Sequence, residues 1–148
     1  MEIRFVQAMF AGLLAMASIA IAHAAQVVGV NNSQCMTLPE HGGYVSDGTD
    51  VRVIECRGQS NQQWTVSSGQ ISGYAGKCLD VQGSIANDGA PVIAVTCNGG
   101  PSQRWSLANG RIIGIGGKCL DVSSATAFRA PLIISACSSA PSQQWSVN

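Results

Sequence analysis

From residue 26 onward the apolar residues come in short runs, and no window carries the i, i+3, i+4, i+7 stripe of an amphipathic helix. Gly, Ser, Asn or Pro interrupts the chain roughly every ten residues, as turn residues do between strands. The pattern predicts twelve short strands and no helix. The first four are Val27–Val30, Gln34–Leu38, Val51–Cys56 and Gln62–Val66. The next four are Gln70–Tyr74, Lys77–Val81, Val92–Cys97 and Gln103–Leu107. The last four are Arg111–Ile115, Lys118–Val122, Leu132–Cys137 and Gln143–Val147. Asp47-Gly48, Ser68-Gly69, Asn87-Asp88-Gly89, Asn98-Gly99-Gly100 and Asn109-Gly110 supply the turn chemistry between them.

These runs fall into three groups of four because the chain repeats itself. Gly76-Lys77-Cys78-Leu79-Asp80-Val81 is written again as Gly117-Lys118-Cys119-Leu120-Asp121-Val122. Gln-x-Trp recurs in phase at Gln62–Trp64, Gln103–Trp105 and Gln143–Trp145, with the tryptophans 41 and 40 residues apart. A fixed period marks one supersecondary unit used three times, here about 27–67, 68–108 and 109–148. A propeller of four-stranded blades closes with at least about four blades. Three units fit instead a three-fold barrel capped by hairpins, which leaves few open edges. The expected fold is therefore an all-β β-trefoil with three pseudo-symmetric four-strand repeats.

Residues 1–24 read as a secretory signal peptide: Arg4, an uncharged run from Ala8 to Ala22, then Ala22-His23-Ala24 as a small-x-small cleavage pattern. The run is shorter than the roughly twenty residues that a membrane span needs. A single domain over 25–148, secreted or periplasmic, is expected, with no membrane insertion after cleavage. All six cysteines lie in that domain, none in a C-x-x-C, and His41 is its one histidine, which favours disulfides over metal ligation. Of the pairings that treat each unit alike, the shortest joins Cys35 to Cys56, Cys78 to Cys97 and Cys119 to Cys137. Each such loop contributes about 3 kcal/mol in the chain-entropy account. The formal net charge is zero, with no basic stripe for nucleic acid. Neutral partners are expected.

The Cys-Leu-Asp-Val run, a second cysteine about twenty residues on and a closing Gln-x-Trp together resemble the ricin B-type lectin domain, over essentially all of residues 26–148. The resemblance implies roles for the repeated residues. Trp64, Trp105 and Trp145 would pack the core, each indole N–H needing an internal acceptor. Gln62, Gln103 and Gln143 would fix the local turn through backbone hydrogen bonds. A sugar site of this family pairs the Asp of Cys-Leu-Asp-Val with an aromatic two residues before the second cysteine and an Asn just before Gln-x-Trp. Asp80 and Asp121 match the first position, but unit one has Thr37 there. The aromatic position holds Ile54, Val95 and Ser135. The Asn position holds Asn61, then Ser102 and Ser142. No unit keeps the full set. An alternative role for the aspartates is to tie backbone N–H groups after their strand. Tyr44, Asn87 and Phe128 each lie nine residues after the first cysteine of their unit. Phe128 is thus a candidate relocated stacking group beside Asp121.

No nucleophile–base pair, paired carboxylates or phosphate loop is visible, so neither an enzyme nor a cofactor is expected. The Asp47-Gly48-Thr49-Asp50 stretch lacks the ligand density of a calcium loop and reads as a hairpin turn. Two functional readings follow. One is a secreted carbohydrate-binding module with up to three weak galactoside- or xylan-type sites, carried by Asp80, Asp121, Asn61 and Phe128 and gaining by avidity. The other is a trefoil without sugar binding that acts on another secreted protein, as a protein-interaction or toxin-associated subunit.

Overall fold

The computed structural model describes residues 23–124 and 127–148. The leader expected over residues 1–24 therefore lies, but for its last two residues, outside the described part. A two-residue strand β1 (Ala24–Ala25) comes first. Unit one contains β2 (Val27–Gly29), β3 (Gln34–Thr37), β4 (Thr49–Asp50), β5 (Arg52–Glu55) and β6 (Trp64–Ser67). Unit two contains β7 (Gln70–Ser72), β8 (Lys77–Val81), β9 (Ala90–Thr96) and β10 (Ser106–Ala108). Unit three contains β11 (Arg111–Ile113), β12 (Cys119–Val122), β13 (Leu132–Ser135) and β14 (Trp145–Val147).

The pairing follows the repeat. The last strand of each unit pairs with the first of the next: β6 with β7, β10 with β11, and β14 with β2, which joins unit three back to unit one. Within each unit the second and third strands form the cap hairpins β3–β5, β8–β9 and β12–β13. The third strands converge on one another, since Val51 N–H donates to Val92 O at 3.1 Å and Leu132 N–H to Val51 O at 2.9 Å. Strands form here because alternate residues have somewhere apolar to go. Val27, Ile71 and Ile112, at matching places in the three first strands, are all buried between more exposed neighbours. The three cystines close within their units as Cys35–Cys56, Cys78–Cys97 and Cys119–Cys137.

The Gln-x-Trp segments differ from the expected strands. Gln62, Gln103 and Gln143 each end a single 3-10 turn, at Ser60–Gln62, Pro101–Gln103 and Pro141–Gln143, and the strand starts at or after the tryptophan. Two of these turns open on proline, whose fixed φ and missing N–H suit the first position of a turn and not a ladder. Single 3-10 turns also follow β7, β8 and β11. They are too short to carry a periodic signature, which is why the hydrophobic pattern shows none of them.

Trp64, Trp105 and Trp145 are between 1% and 4% exposed. Their indole N–H groups donate to the backbone carbonyls of Met36, Leu79 and Leu120 at 2.8, 2.9 and 3.0 Å. Each acceptor is the residue after the first cysteine of its unit, so the ring ties the barrel to the cap. The other side of each ring meets a glycine of the next unit. A Cβ on Gly73 would stand 2.7 Å from the Trp64 ring, and one on Gly114 would stand 2.6 Å from the Trp105 ring. At Gly29 the approach is looser, with Trp145 at 3.6 Å and the flexible Asn32 side chain at 3.0 Å.

Two ion pairs clasp successive units. Lys77 Nζ meets Asp47 Oδ1 at 2.6 Å and Lys118 Nζ meets Asp88 Oδ1 at 2.7 Å. The same oxygens accept the backbone N–H of Thr96 and Ala136, each at 2.8 Å. The lysine hydrogen bond first and the backbone N–H second hold both carboxyls below their ordinary value of 3.8. At the junction of unit three with unit one, Gln34 precedes the cysteine where the other units have lysine.

Two outcomes follow from this architecture. Gly73→Ala and Gly114→Ala should each lower stability by about 1–3 kcal/mol through overpacking against a ring that cannot move, and Gly29→Ala by less, as read from guanidinium titrations. Asp47 and Asp88 have depressed folded-state pKa values, so their stabilisation is fully present above pH 3.8 and is lost as pH falls through the folded values. An Asp47→Asn, Asp88→Asn double variant should therefore melt below wild type at neutral pH, and the gap should close on acidification past that window. A gap unchanged by acid would refute this origin.

Candidate functional site

Each Gln-x-Trp glutamine is the centre of one repeated network. Its Oε1 accepts a backbone N–H five residues earlier in the chain: Gln62 from Arg57 at 2.7 Å, Gln103 from Asn98 at 2.8 Å, and Gln143 from Ser138 at 2.8 Å. Its Nε2 donates to a carbonyl at the end of the third strand or the residue just past it, that of Glu55, Thr96 or Ala136. The same Nε2 donates once more, to the residue at the Asp position of the repeated motif. That acceptor is Asp80 Oδ2 at 2.9 Å, Asp121 Oδ2 at 3.0 Å and, in unit one, Thr37 Oγ1 at 3.0 Å. All the polar atoms of the amide are thereby occupied, as burial requires.

The aspartates are thus built into the framework. Asp80 is 7% exposed. Asp121 also accepts the backbone N–H of Val122 at Oδ1, 2.7 Å away, so both its oxygens have donors within the unit. In unit two, Ser102 stands where unit one has Asn61, and its hydroxyl is bridged to Ser84 at 3.1 Å.

Unit one is arranged differently. Thr37 keeps the bond to Gln62 and spends its own proton on Cys35 O at 2.9 Å. Above it opens a cavity of about 250 Å³, lined by Thr37, Ile54, Gln62 and Asn61 at the floor and by Pro39, Glu40, His41, Arg57, Gln59 and Arg129 around the mouth. The Oδ1 atom of Asn61 is buried and has no hydrogen-bond partner among the described residues. His41 opens a turn to Tyr44, closed by mutual backbone bonds at 3.1 Å over Gly42 and Gly43, both at positive φ as a two-residue hairpin turn requires. That turn leaves Tyr44 82% exposed. Beside it, the Glu40 carboxylate, as acceptor and as charge, raises the Tyr74 phenol above its ordinary pKa. A second cavity, of about 220 Å³, lies at the far barrel end between Leu107, Arg111, Trp145 and Val147, away from every residue singled out for sugar binding.

Phe128 is 70% exposed, and the guanidinium of Arg129 lies 5.1 Å from its ring centroid. The Phe128–Arg129 turn belongs to unit three, yet Arg129 lines the unit-one cavity. Counted back from the converging residues Val51, Val92 and Leu132, Phe128 occupies the place of Asp47 and Asp88, and Arg129 that of Gly48 and Gly89. Counting nine residues on from the cysteine had grouped it with Tyr44 and Asn87. The two counts disagree because the loops between the second and third strands differ in length. Sequence reasoning missed Arg57, Arg129, Glu40 and His41 as cavity residues. It also missed the glycines that face the tryptophans, although Gly29, Gly73 and Gly114 recur five or six residues before the first cysteine of each unit.

Removing the acceptor in Asp80→Ala leaves a buried amide proton unpaired and should cost about 1–3 kcal/mol in urea denaturation followed by tryptophan fluorescence. Asp80→Thr, which copies unit one, should lose less. Equal losses in the two variants would show that the bond to Gln103 does not carry the effect.

Comparison with known proteins agrees with this geometry. The family described as ricin-type beta-trefoil lectin domain matches residues 67–148, and a ricin-type beta-trefoil lectin domain-like family matches residues 21–93. The designed three-fold symmetric protein ThreeFoil is 29% identical, with a TM-score of 0.74 over 84% of this chain and 96% of that one. The C-half of the earthworm R-type lectin, solved in complex with GalNAc, aligns with a TM-score of 0.69 at 13% identity over 84% of this chain and 96% of its own. The agglutinin from Abrus precatorius gives 0.76 at 22% identity over 90% of this chain and 51% of that one. At 13% and 22% identity the likeness is one of fold. With the family match spanning more than half of its length, the chain belongs to the ricin-type β-trefoil lectin domain family.

Proposed function

We propose that the protein is a secreted carbohydrate-binding module whose principal saccharide site is the unit-one cavity. The observation that carries this reading is Asn61, which lines a cavity of about 250 Å³ and whose buried Oδ1 has no donor among the described residues. Leaving such a group unpaired costs about 1–3 kcal/mol, and a sugar hydroxyl is a donor of the right kind and size. Ile54 offers an apolar surface for the C–H face of a ring. Asp80 and Asp121 act first as acceptors for Gln103 and Gln143, and any saccharide contact they make is secondary to that. The earthworm lectin's GalNAc complex supports a galactoside-type ligand, and affinity at a single site with one free acceptor would be weak. Three cystines among the described residues suit an oxidising compartment outside the cytosol.

A second reading, docking of another protein, draws on the exposed rings of Tyr44 and Phe128. A glycan array at high valency separates the two. Binding to galactosides that falls about five-fold in Asn61→Ala is expected, with the unfolding midpoint unchanged or raised because the lost oxygen bonds nothing in the free protein. An array blank at every valency would overturn the lectin reading.

A further inference from the structure

We infer that the unit-one site selects an anionic saccharide, a sugar unit bearing a carboxylate or a sulfate, through Arg57 and Arg129. This rests on the unit-one cavity being the saccharide site. Two guanidinium groups line that cavity, one from unit one and one from unit three, against a single carboxylate, that of Glu40, which lies beside the Tyr74 phenol. Among the described residues Arg129 has no carboxylate within 4.0 Å, and its guanidinium rests on the Phe128 ring instead. Arg57 pairs only with the exposed Glu55, at 3.3 Å. Exposed pairs of that kind are worth little and exchange readily. The cavity thus offers planar donors that match a carboxylate or sulfate. It is also lined by Asn61, whose buried Oδ1 has no donor among the described residues and would take one from a hydroxyl. A neutral sugar answers the second need alone, and a simple anion the first alone. An acidic sugar answers both.

The backbone points the same way. Arg129 sits at φ 58°, in the place where units one and two have Gly48 at φ 94° and Gly89 at φ 85°. A non-glycine residue is less favoured there than glycine, although Ser33, Ser68, Ala75, Ser84 and Asn109 adopt similar φ values in other turns. In the same turn Phe128 replaces the aspartate that clasps the next unit elsewhere. Fold stability alone would favour the Asp-Gly pair that the other two turns keep. The turn at the unit-three to unit-one junction has given up both features, and it presents a cation to the neighbouring cavity.

The test is a titration of galactose, galacturonate and galactose 6-sulfate by calorimetry or chemical-shift perturbation. Galacturonate or galactose 6-sulfate should bind at least about five-fold tighter than galactose at low salt, and the advantage should shrink as ionic strength rises. Gain by galacturonate alone identifies a carboxylate, and gain by both identifies negative charge in general. Arg129→Gly should erase the preference while melting at or above the wild-type temperature, since glycine relieves the positive φ. Arg57→Gln should reduce it independently. Equal binding of the three sugars would overturn the inference and leave the lectin reading standing, as would a preference that survives in the double variant. Failure of all three sugars to bind would remove the saccharide site itself.

Discussion

Each tryptophan of this chain must bury a large ring and still find an acceptor for its indole N–H, and the trefoil is the arrangement that grants both three times over. The acceptor is always the carbonyl after the first cysteine of the unit, so the ring spans the distance between barrel and cap. The face left over packs on the next unit, where at Gly73 and Gly114 only a glycine lets the backbone come close enough. One residue type thereby joins strand, hairpin and neighbouring repeat. The cystines then hold the second and third strands of each unit at the spacing that the tryptophan bond assumes.

The glutamine two positions earlier carries the same logic into the polar part of the structure. Its amide closes the loop after the second cysteine and reaches the Asp of the repeated motif. A carboxylate in that place is the strongest neutral-pH acceptor available, but it is not indispensable, since Thr37 fills the position with a hydroxyl. The Asp position of the repeated motif is therefore a structural bond in this chain, with Asp80 and Asp121 each accepting from the glutamine of its unit. Unit one keeps the bond in its neutral form, which leaves the floor of its cavity without a fixed negative charge.

The fold was legible because period, cysteine spacing and Gln-x-Trp all report the same three-fold requirement, and each is visible in residue identity alone. The site was less so. Asp80 looks like a ligand residue in isolation, and its commitment to Gln103 depends on two segments twenty-three residues apart meeting in space. Gly73 and Gly114 resemble ordinary turn glycines, and only the ring beside them gives them meaning. Phe128 was misplaced for a geometric reason: Val51, Val92 and Leu132 are equivalent by their hydrogen bonds, yet they stand at unequal distances from their cysteines. Counting from the wrong anchor put Phe128 beside Tyr44 and hid Arg129 altogether. A cavity shared by two repeats is invisible to any reading that takes the repeats one at a time.

Departures from symmetry are informative here because the symmetric solution is present twice in the same molecule. The junctions of unit one with two and of unit two with three each use an Asp-Gly turn to receive a lysine and a backbone N–H. That combination satisfies the turn's positive φ with glycine and its polar groups with charge, so drift away from it carries a cost in stability. At the third junction Phe128 and Arg129 stand in those two places and Gln34 in the lysine's, which sets an exposed aromatic ring against a cation that lines the same cavity as Asn61. Loss of a clasp alone would leave any small polar residue in the turn. An arginine that rests on phenylalanine and lines the same cavity as Asn61 is instead the arrangement that the proposed binding role would use.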